Sequence, residues 1–470
     1  MFVRRFYDDR LAQASYMIAC QRTGDAIVID PARDITPYLE TARQEHFRIT
    51  QVTETHIHAD FMSGTRELAA ATGALPLLSG EGGPDWQYGY AAADGARLLH
   101  DNDVIAVGRV RLAVMHTPGH TPEHLAFVLV DAALSDEPVA LISGDFVFVG
   151  DVGRPDLLET AAGIANSKEA GARDLYRSLQ RLASLPDFVQ VWPGHGAGSA
   201  CGKALGALAS STLGYERRTN WAFQVPDESG FVAAVLEGQP SPPTYFARMK
   251  RVNRDGPPVL GARAPVPALA ADALGAASRD GVVLDVRPRR VYAEGHVAGT
   301  LNIPLIKAFT TWAGWLVPYD RPIYLIAADA NAAADAQRAL ASIGLDNVAG
   351  VFAADVVSDA AQAGTARRSP RASIADAPRL QREGVVVIDL READEWRAGH
   401  VPGAEHHPLG HLAAEVAGLP RTTRLAVHCG GGTRSAIGAS VLEQLGFDDV
   451  TDLSDGWSAW ENMSADAKAT

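Results

Sequence analysis

Cysteine is scarce: the 470 residues hold three, Cys20, Cys201 and Cys429. That excludes a disulfide-stapled scaffold and leaves each thiol to be packed, reactive or ligating. Long hydrophobic runs are also missing, and no stretch approaches the roughly 20 apolar residues of a membrane helix. Residues 1–10 carry Arg4 and Arg5, then Asp8 and Asp9, without the apolar centre of a signal peptide. The expectation is therefore a cytoplasmic chain with no membrane partner. Positive charge is in the minority, with 42 Lys and Arg against 56 Asp and Glu, a net −14. Such a chain has no general electrostatic hold on nucleic acid or anionic lipid. Disorder is excluded by a hydrophobic fraction of 47%. At about 150 residues per domain, the length suggests about three domains.

The first 250 residues alternate strand-like and helix-like runs. Residues 26–31, 51–56, 103–115, 125–130 and 139–142 read as strands or hairpins; 36–46, 63–72 and 170–184 read as helices. That alternation implies layered α/β structure. Prolines 240, 242, 243, 257, 258, 265 and 267 mark residues 238–267 as a linker or extended connection. A second break covers residues 358–377. Around and after it lies a repeat with a period of about 100 residues, too long for a solenoid unit and hence a duplicated domain. Gly281-Val282-Val283-Leu284-Asp285-Val286-Arg287 matches residues 384–391, and Gly295-His296-Val297 matches Gly399-His400-Val401.

Chemistry-bearing residues gather in two places. In the first 200 residues, His56, His58 and Asp60 follow one strand-like run. His116 and His120 follow a second, Asp145 a third and His195 a fourth, each beside Gly or Pro. Loops at one sheet edge are where imidazole and carboxylate ligands converge. In the last repeat, an apolar strand leads into Cys429-Gly430-Gly431-Gly432-Thr433-Arg434, and a helix follows. Converging backbone N–H groups and a helix N-terminus stabilise a thiolate there, and Arg434 adds positive charge. Cys20, in a strand-like run, is expected to be core. Lys203 near Cys201 is a candidate for lowering that thiol's pKa.

The histidine and aspartate series resembles the metallo-β-lactamase superfamily over residues 10–215. The family pattern His-x-His-x-Asp-His is departed from at Phe61, where the last His should stand. In dinuclear hydrolases such as glyoxalase II that His binds the second metal, so its loss favours one metal. Within the superfamily the chain looks most like the persulfide dioxygenases. That resemblance implies one Fe(II) per chain held by His56, His120 and Asp145, three ligands on one face with open positions for sulfur and O2. It makes His58, Asp60 and His195 groups that orient ligands or substrate. Arg154 is then either a residue that supports a ligand or contacts substrate, or a buried ion pair supporting its loop. Cys201 is either a thiol beside the substrate channel or a small buried residue at a helix start.

The last repeat resembles a rhodanese domain over residues 372–465, through residues 388–392, 399–404, 429–434 and 455–460. The resemblance implies transfer of sulfane sulfur through a Cys429 persulfide, with Arg434 in the loop. In the first repeat, aligned on Ile343-Gly344 and Leu445-Gly446, Ala327 falls at the cysteine position and Ala332 at the arginine position. This implies a rhodanese fold without catalysis, a spacer or docking module.

The expected architecture is therefore an αββα metallo-β-lactamase fold in residues 1–255, then two α/β rhodanese-like domains with central parallel sheets. These are an inactive one in residues 262–356 and an active one in residues 372–470. The order resembles multidomain persulfide dioxygenase–sulfurtransferase fusions. What that implies is oxidation of a low-molecular-weight persulfide, of glutathione or coenzyme A type, with O2 to sulfite and thiol. Cys429 would form or consume thiosulfate. A homo-oligomer without organic cofactor is expected. Two alternatives stand: a zinc thioester hydrolase of glyoxalase II type fused to a sulfurtransferase, and a non-enzymatic sulfur carrier or sensor. His and Asp ligands suit zinc and iron alike. The thiol carrier and the direction of sulfur flux stay open.

Overall fold

The computed structural model describes residues 1–160 and 167–463. The chain divides into two compact units, Met1–Arg263 with Ala341–Gly344, and Ala264–Leu340 with Leu345–Thr470.

The first unit is a sandwich of two six-stranded sheets, each in chain order. One runs Phe2–Asp8, Gln13–Ala19, Asp25–Ile29, Arg48–Thr53, Leu75–Ser79 and Arg97–Leu99. The other runs Val104–Val107, Val110–His116, Leu125–Asp131, Pro138–Gly144, Gln190–Pro193 and Ser211–Thr212. Side-chain alternation along the strands separates two surfaces. Ile18, Ile27, Ile29 and Leu77 face Leu112, Phe127, Leu129 and Ile142 between the sheets. The intervening Met17, Ala19 and Val28 face outward against Tyr38 and Ala42 of the helix Thr36–Gln44 and Leu68 of Thr65–Thr72. On the other side Ala126, Val128 and Leu141 receive Leu175 and Leu179 of Lys168–Arg181, and Phe231 and Val235 of Glu228–Leu236. The expected αββα layering is thus present, built from strands buried on both faces.

The second unit holds two parallel sheets. One has the order Leu301–Asn302, Val282–Asp285, Ile323–Ala327, Val348–Ala353. The other has the order Arg371–Ala372, Val450–Leu453, Leu425–His428, Val386–Asp389, Glu405–His406. The registers are equivalent: Asp285 pairs with Ile326, and Asp389 with His428. The next residue in each case is Ala327 or Cys429, so the backbone equates the positions that the sequence alignment equated.

Two sequence expectations need correction. Residues 238–267 are not merely a connection, because they contain the helix Phe246–Asp255, which buries Phe246, Met249, Lys250 and Asn253. Those positions follow helical spacing, but the prolines on either side, at the helix boundaries, dominate the composition. Residues 358–377 likewise include part of the helix Val356–Gln362 and the edge strand Arg371–Ala372. Cys20 is buried as expected, but it lies just past the strand end, where its Sγ accepts the Arg109 N–H at 3.3 Å. Among the described residues no helix is long and apolar enough to cross a membrane.

Candidate metal centre and sulfur-transfer loop

Four loops at one edge of the sandwich carry the first site. They follow Arg48–Thr53, join Val110–His116 to Leu125–Asp131, follow Pro138–Gly144 and follow Gln190–Pro193. Leu125 N–H donates to Thr55 O at 2.7 Å and Gly194 N–H to Gly144 O at 2.9 Å, which fixes the loops pairwise. Gly153 permits one close approach: a Cβ there would lie 1.8 Å from Asp145 O and 3.0 Å from His120 Cβ.

His56, His120 and Asp145 are brought together, each offering a ligand atom within 4.8 Å of the others. Asp145 Oδ2 lies 3.6 Å from His120 Nε2 and 3.9 Å from His56 Nε2. The opposite ring nitrogens are occupied. His120 Nδ1 donates to Arg154 O at 3.1 Å, and His56 Nδ1 meets Thr55 Oγ1 at 2.9 Å. Thr55 Oγ1 itself donates to Asp30 Oδ2 at 3.0 Å, so it accepts from His56, and both Nε2 atoms are left as acceptors. Burial first, then neighbouring positive groups, pushes His56 well below its ordinary value and His120 down to about 3. Both imidazoles are neutral, the form that binds metal. Asp145 is buried, and neither carboxylate oxygen has an N–H or O–H hydrogen-bond partner, the Cys201 thiol being the one weak donor beside it. Burial raises its carboxyl to about 6. A carboxylate so weakly partnered between two neutral imidazoles is a costly arrangement without a cation and a fitting one around it. The three residues therefore suit a divalent metal.

The groups expected to orient ligands divide. His58 Nε2 pairs with Asp30 Oδ1 at 3.0 Å; burial lowers its pKa, but Asp30 outweighs this and raises it to about 9. His58 is thus an imidazolium turned to Asp30. His195 Nε2 lies 3.3 Å from Asp60 Oδ2 and 3.5 Å from Asp145 Oδ1, and its Nδ1 donates to Ala12 O at 3.1 Å. Asp60, His195 and Cys201 form a second set of donor atoms within 4.8 Å of one another. Burial, then the charges of Asp60 and Asp145, pushes the Cys201 thiol well up. Lys203 does not lower it: its Nζ donates to Glu237 O at 3.1 Å and to Ala234 O at 2.5 Å. Phe61 is 1% exposed and its ring lies 4.4 Å from that of His58, so hydrocarbon fills the place of the missing histidine. Arg154 is the buried ion pair. Its guanidinium binds Asp156 at 2.9 and 2.6 Å, Ala200 O at 2.9 Å and Pro240 O at 2.8 Å.

Several residues that position this site were not anticipated. His124 Nε2 accepts the Asp145 N–H at 3.1 Å, and its Nδ1 donates to Thr117 Oγ1 at 2.8 Å. Asn253 clamps the loop after His58, donating to His58 O and Phe61 O at 2.8 and 2.7 Å and accepting from Ser63 N–H at 3.0 Å. Lys250, on the same helix, rests 3.7 Å from the Trp86 ring centroid and interacts with the Glu123 carboxylate. The available signal for the last two was the i, i+3, i+4, i+7 pattern of residues 246, 249, 250 and 253 inside the proline-rich stretch.

In the second unit, Cys429 follows the strand Leu425–His428, and the helix Thr433–Gln444 follows its loop. The buried Sγ accepts the Gly432 N–H at 3.2 Å and lies 3.8 Å from Ser435 Oγ. Trp457 N–H donates to Cys429 O at 2.7 Å and Ser458 N–H to Gly430 O at 3.0 Å. Gly432 has φ +86°, and a Cβ there would lie 2.0 Å from Ser454 O, so only glycine fits. Arg434 is held by Glu395 at 2.6 and 2.7 Å, so its charge is paired rather than directed solely at the thiol. In the other repeat, Ala327 is buried at the cysteine position, and Asp329 accepts the Ala332 N–H at 2.9 Å, capping its own helix.

Comparison with known proteins agrees with both halves. The metallo-beta-lactamase superfamily model matches residues 8–195, and the rhodanese-like domain model matches residues 267–353 and 374–463. A metallo-beta-lactamase structure from Staphylococcus aureus subsp. aureus COL is 44% identical, covering 75% of this chain and 99% of that one, with a TM-score of 0.70. A hydroxyacylglutathione hydrolase from Polaromonas sp. is 37% identical over 183 residues, which is 38% of this chain and 61% of that protein. Another from Nitrosococcus oceani is 34% identical over 188 residues, 38% of this chain and 61% of its own length. The chain thus spans less than two thirds of these two relatives. It belongs to the metallo-β-lactamase superfamily, and its metallo-β-lactamase domain is followed by two rhodanese-like domains.

Proposed function

We propose that the chain is a persulfide dioxygenase with sulfurtransferase activity. In this reading His56, His120 and Asp145 hold one Fe(II), and a low-molecular-weight thiol persulfide of glutathione or coenzyme A type is oxidised with O2 to sulfite and thiol. Iron, when bound, supplies O2 activation beside a coordinated sulfur. The chain's own residues do the rest. Thr55 and the Arg154 carbonyl fix the two imidazole tautomers, and His124 fixes the Asp145 backbone. Phe61, packed on His58, puts a ring where the family pattern has a further histidine. The observation that supports the reading is the His56, His120 and Asp145 donor set with Phe61 in place of a further histidine beside the neighbouring Asp60, His195 and Cys201 set.

Cys429 then handles sulfane sulfur. Its thiolate attacks the outer sulfur of a persulfide, forming one S–S bond and breaking another, and the carrier leaves as thiolate. Sulfite attacks the Cys429 persulfide in turn, thiosulfate departs and the Cys429 thiolate returns. The same steps in reverse consume thiosulfate. Covalent linkage raises the effective concentration of the shared intermediates.

Elemental analysis of anaerobically purified protein, paired with O2 uptake on adding glutathione persulfide, tests the proposal. About one iron per chain and persulfide-dependent O2 consumption are expected. The names of the two hydrolase relatives favour a second reading, thioester hydrolysis on zinc. Zinc content, no O2 uptake and turnover of S-lactoylglutathione without O2 would establish that reading instead.

A further inference from the structure

A cleft of about 200 Å³ in the second unit is lined by Arg289, Arg290 and Glu294 of the silent repeat and by Arg371, Asp452 and Ser454 of the active one. The repeats are tied to each other beside it: His296 Nε2 lies 3.0 Å from Glu443 Oε2, and Asn302 N–H donates to Ser440 Oγ at 3.0 Å. Arg287 and Arg391 are each paired with an aspartate of their own strand, Asp285 and Asp389. By contrast, among the described residues no carboxylate lies within 4.0 Å of the guanidinium groups of Arg289, Arg290 or Arg371, and the acidic groups they share the cleft with are Glu294 and Asp452, the latter offsetting the charge of Arg289 and Arg371 from a distance. The carboxylate facing them is buried. Asp452 is 4% exposed and its Oδ1 has no hydrogen-bond partner.

The cleft backs directly onto the Cys429 loop. Arg289 Nη2 donates to Gly431 O at 3.3 Å, and a Cβ on Gly432 would lie 2.2 Å from Arg289 Nη1. Gly432 N–H is the donor that holds Cys429 Sγ. On the other side Ser435, whose hydroxyl stabilises the Asp452 carboxylate, stands 3.8 Å from the same sulfur.

We propose that this cleft binds a small oxyanion that still carries a proton, hydrogen sulfite or a hydrogen phosphate group, with the guanidinium groups holding its charge and Asp452 accepting its hydrogen bond. Planar guanidinium forks match the spacing of oxyanion oxygens. A buried carboxylate accepts a hydrogen bond from a protonated oxyanion but repels one without a proton, such as sulfate. Burial favours the protonated form of Asp452, with a value of about 6; Ser435, Arg289 and Arg371 oppose that rise. The silent repeat thereby gains a task that needs no nucleophile, which is supplying two of the three arginines. Occupancy is felt at Cys429 through Gly432 and Ser435. The inference needs only sulfur transfer at Cys429 and stands apart from the metal chemistry of the first unit.

Calorimetric titration of the full chain, in a Cys429→Ser background to prevent covalent chemistry, tests it with inorganic phosphate, sulfite and sulfate. Phosphate or sulfite should bind at least about tenfold more tightly than sulfate. Arg290→Gln with Arg371→Gln should weaken binding about tenfold per lost guanidinium at unchanged melting temperature. Asp452→Asn, which offers sulfate a donor, should erase the discrimination. The occupant is distinguished with Cys429 intact. If sulfite is bound in turnover, phosphate raises the KM for sulfite in thiosulfate formation, and the double arginine variant does the same at constant kcat. If the site serves a phosphate group, phosphate binds without moving that KM. Unchanged affinity in the double variant, or no binding to the parent chain, overturns the site, and unchanged discrimination in Asp452→Asn overturns its selectivity.

Discussion

At the residue scale, the first site is decided by what stands behind each ligand. His56, His120 and Asp145 were legible because each closes an apolar run beside a turn. Their supports were not, because Asp30, Thr55 and His124 carry no motif and become meaningful only once the loops converge. Thr55 is the sharpest case. Its hydroxyl accepts from His56 and donates to Asp30, so Thr55→Val removes the tautomer lock while preserving shape. Metal affinity, measured by competition with a chelator, should fall roughly 10- to 100-fold with little loss of folding. Phe61 works in the opposite sense. Phe61→His restores the further imidazole of the family pattern, next in the chain to Asp60 of the Asp60, His195 and Cys201 set. Metal content should then rise toward two per chain, and an unchanged content would mean that side-chain identity at residue 61 does not limit the stoichiometry.

At the scale of elements, the helix Phe246–Asp255 shows where reading composition misleads. Seven prolines mark its neighbourhood as a connection, yet they border a helix whose buried face reaches the metal loop. Asn253→Ala removes two donated bonds and one accepted bond from the 58–63 segment. At about 1 kcal/mol for each bond, with a further cost for carbonyls left buried, stability should fall by roughly 2–4 kcal/mol. Chemical denaturation measures this, and metal affinity should fall in parallel as His58 and its loop loosen. The paired rhodanese sheets were easier to read, because four-residue apolar strands ending in Asp recur with the same neighbours. Their equivalence also shows why the first repeat is silent by construction and not by one substitution. Its loop lacks the three glycines, and Asp329 caps the helix where an anion would approach. Ala327→Cys introduced beside Cys429→Ser should therefore give no sulfur transfer in a thiosulfate–cyanide assay; recovered activity would mean that the strand position alone suffices.

At the scale of the whole molecule, the two chemistries sit in separate compact units of one chain, so they should be separable by single substitutions. Cys429 is held by Gly432 and Ser435 around the sulfur and by Trp457 at its carbonyl. Cys429→Ser retains a small polar side chain in the buried loop and removes only the sulfur nucleophile. Glutathione persulfide should still drive O2 uptake at close to the parental rate, with sulfite accumulating in place of thiosulfate. Asp145→Ala should do the reverse, abolishing O2 uptake while leaving thiosulfate–cyanide sulfur exchange intact. Both readouts can be followed in one reaction, with an oxygen electrode and chromatography of the sulfur anions. Loss of O2 uptake in Cys429→Ser would mean that the persulfide reaches the metal through Cys429, so that sulfur transfer precedes oxidation. Thiosulfate unchanged in that variant would remove Cys429 from sulfur transfer altogether.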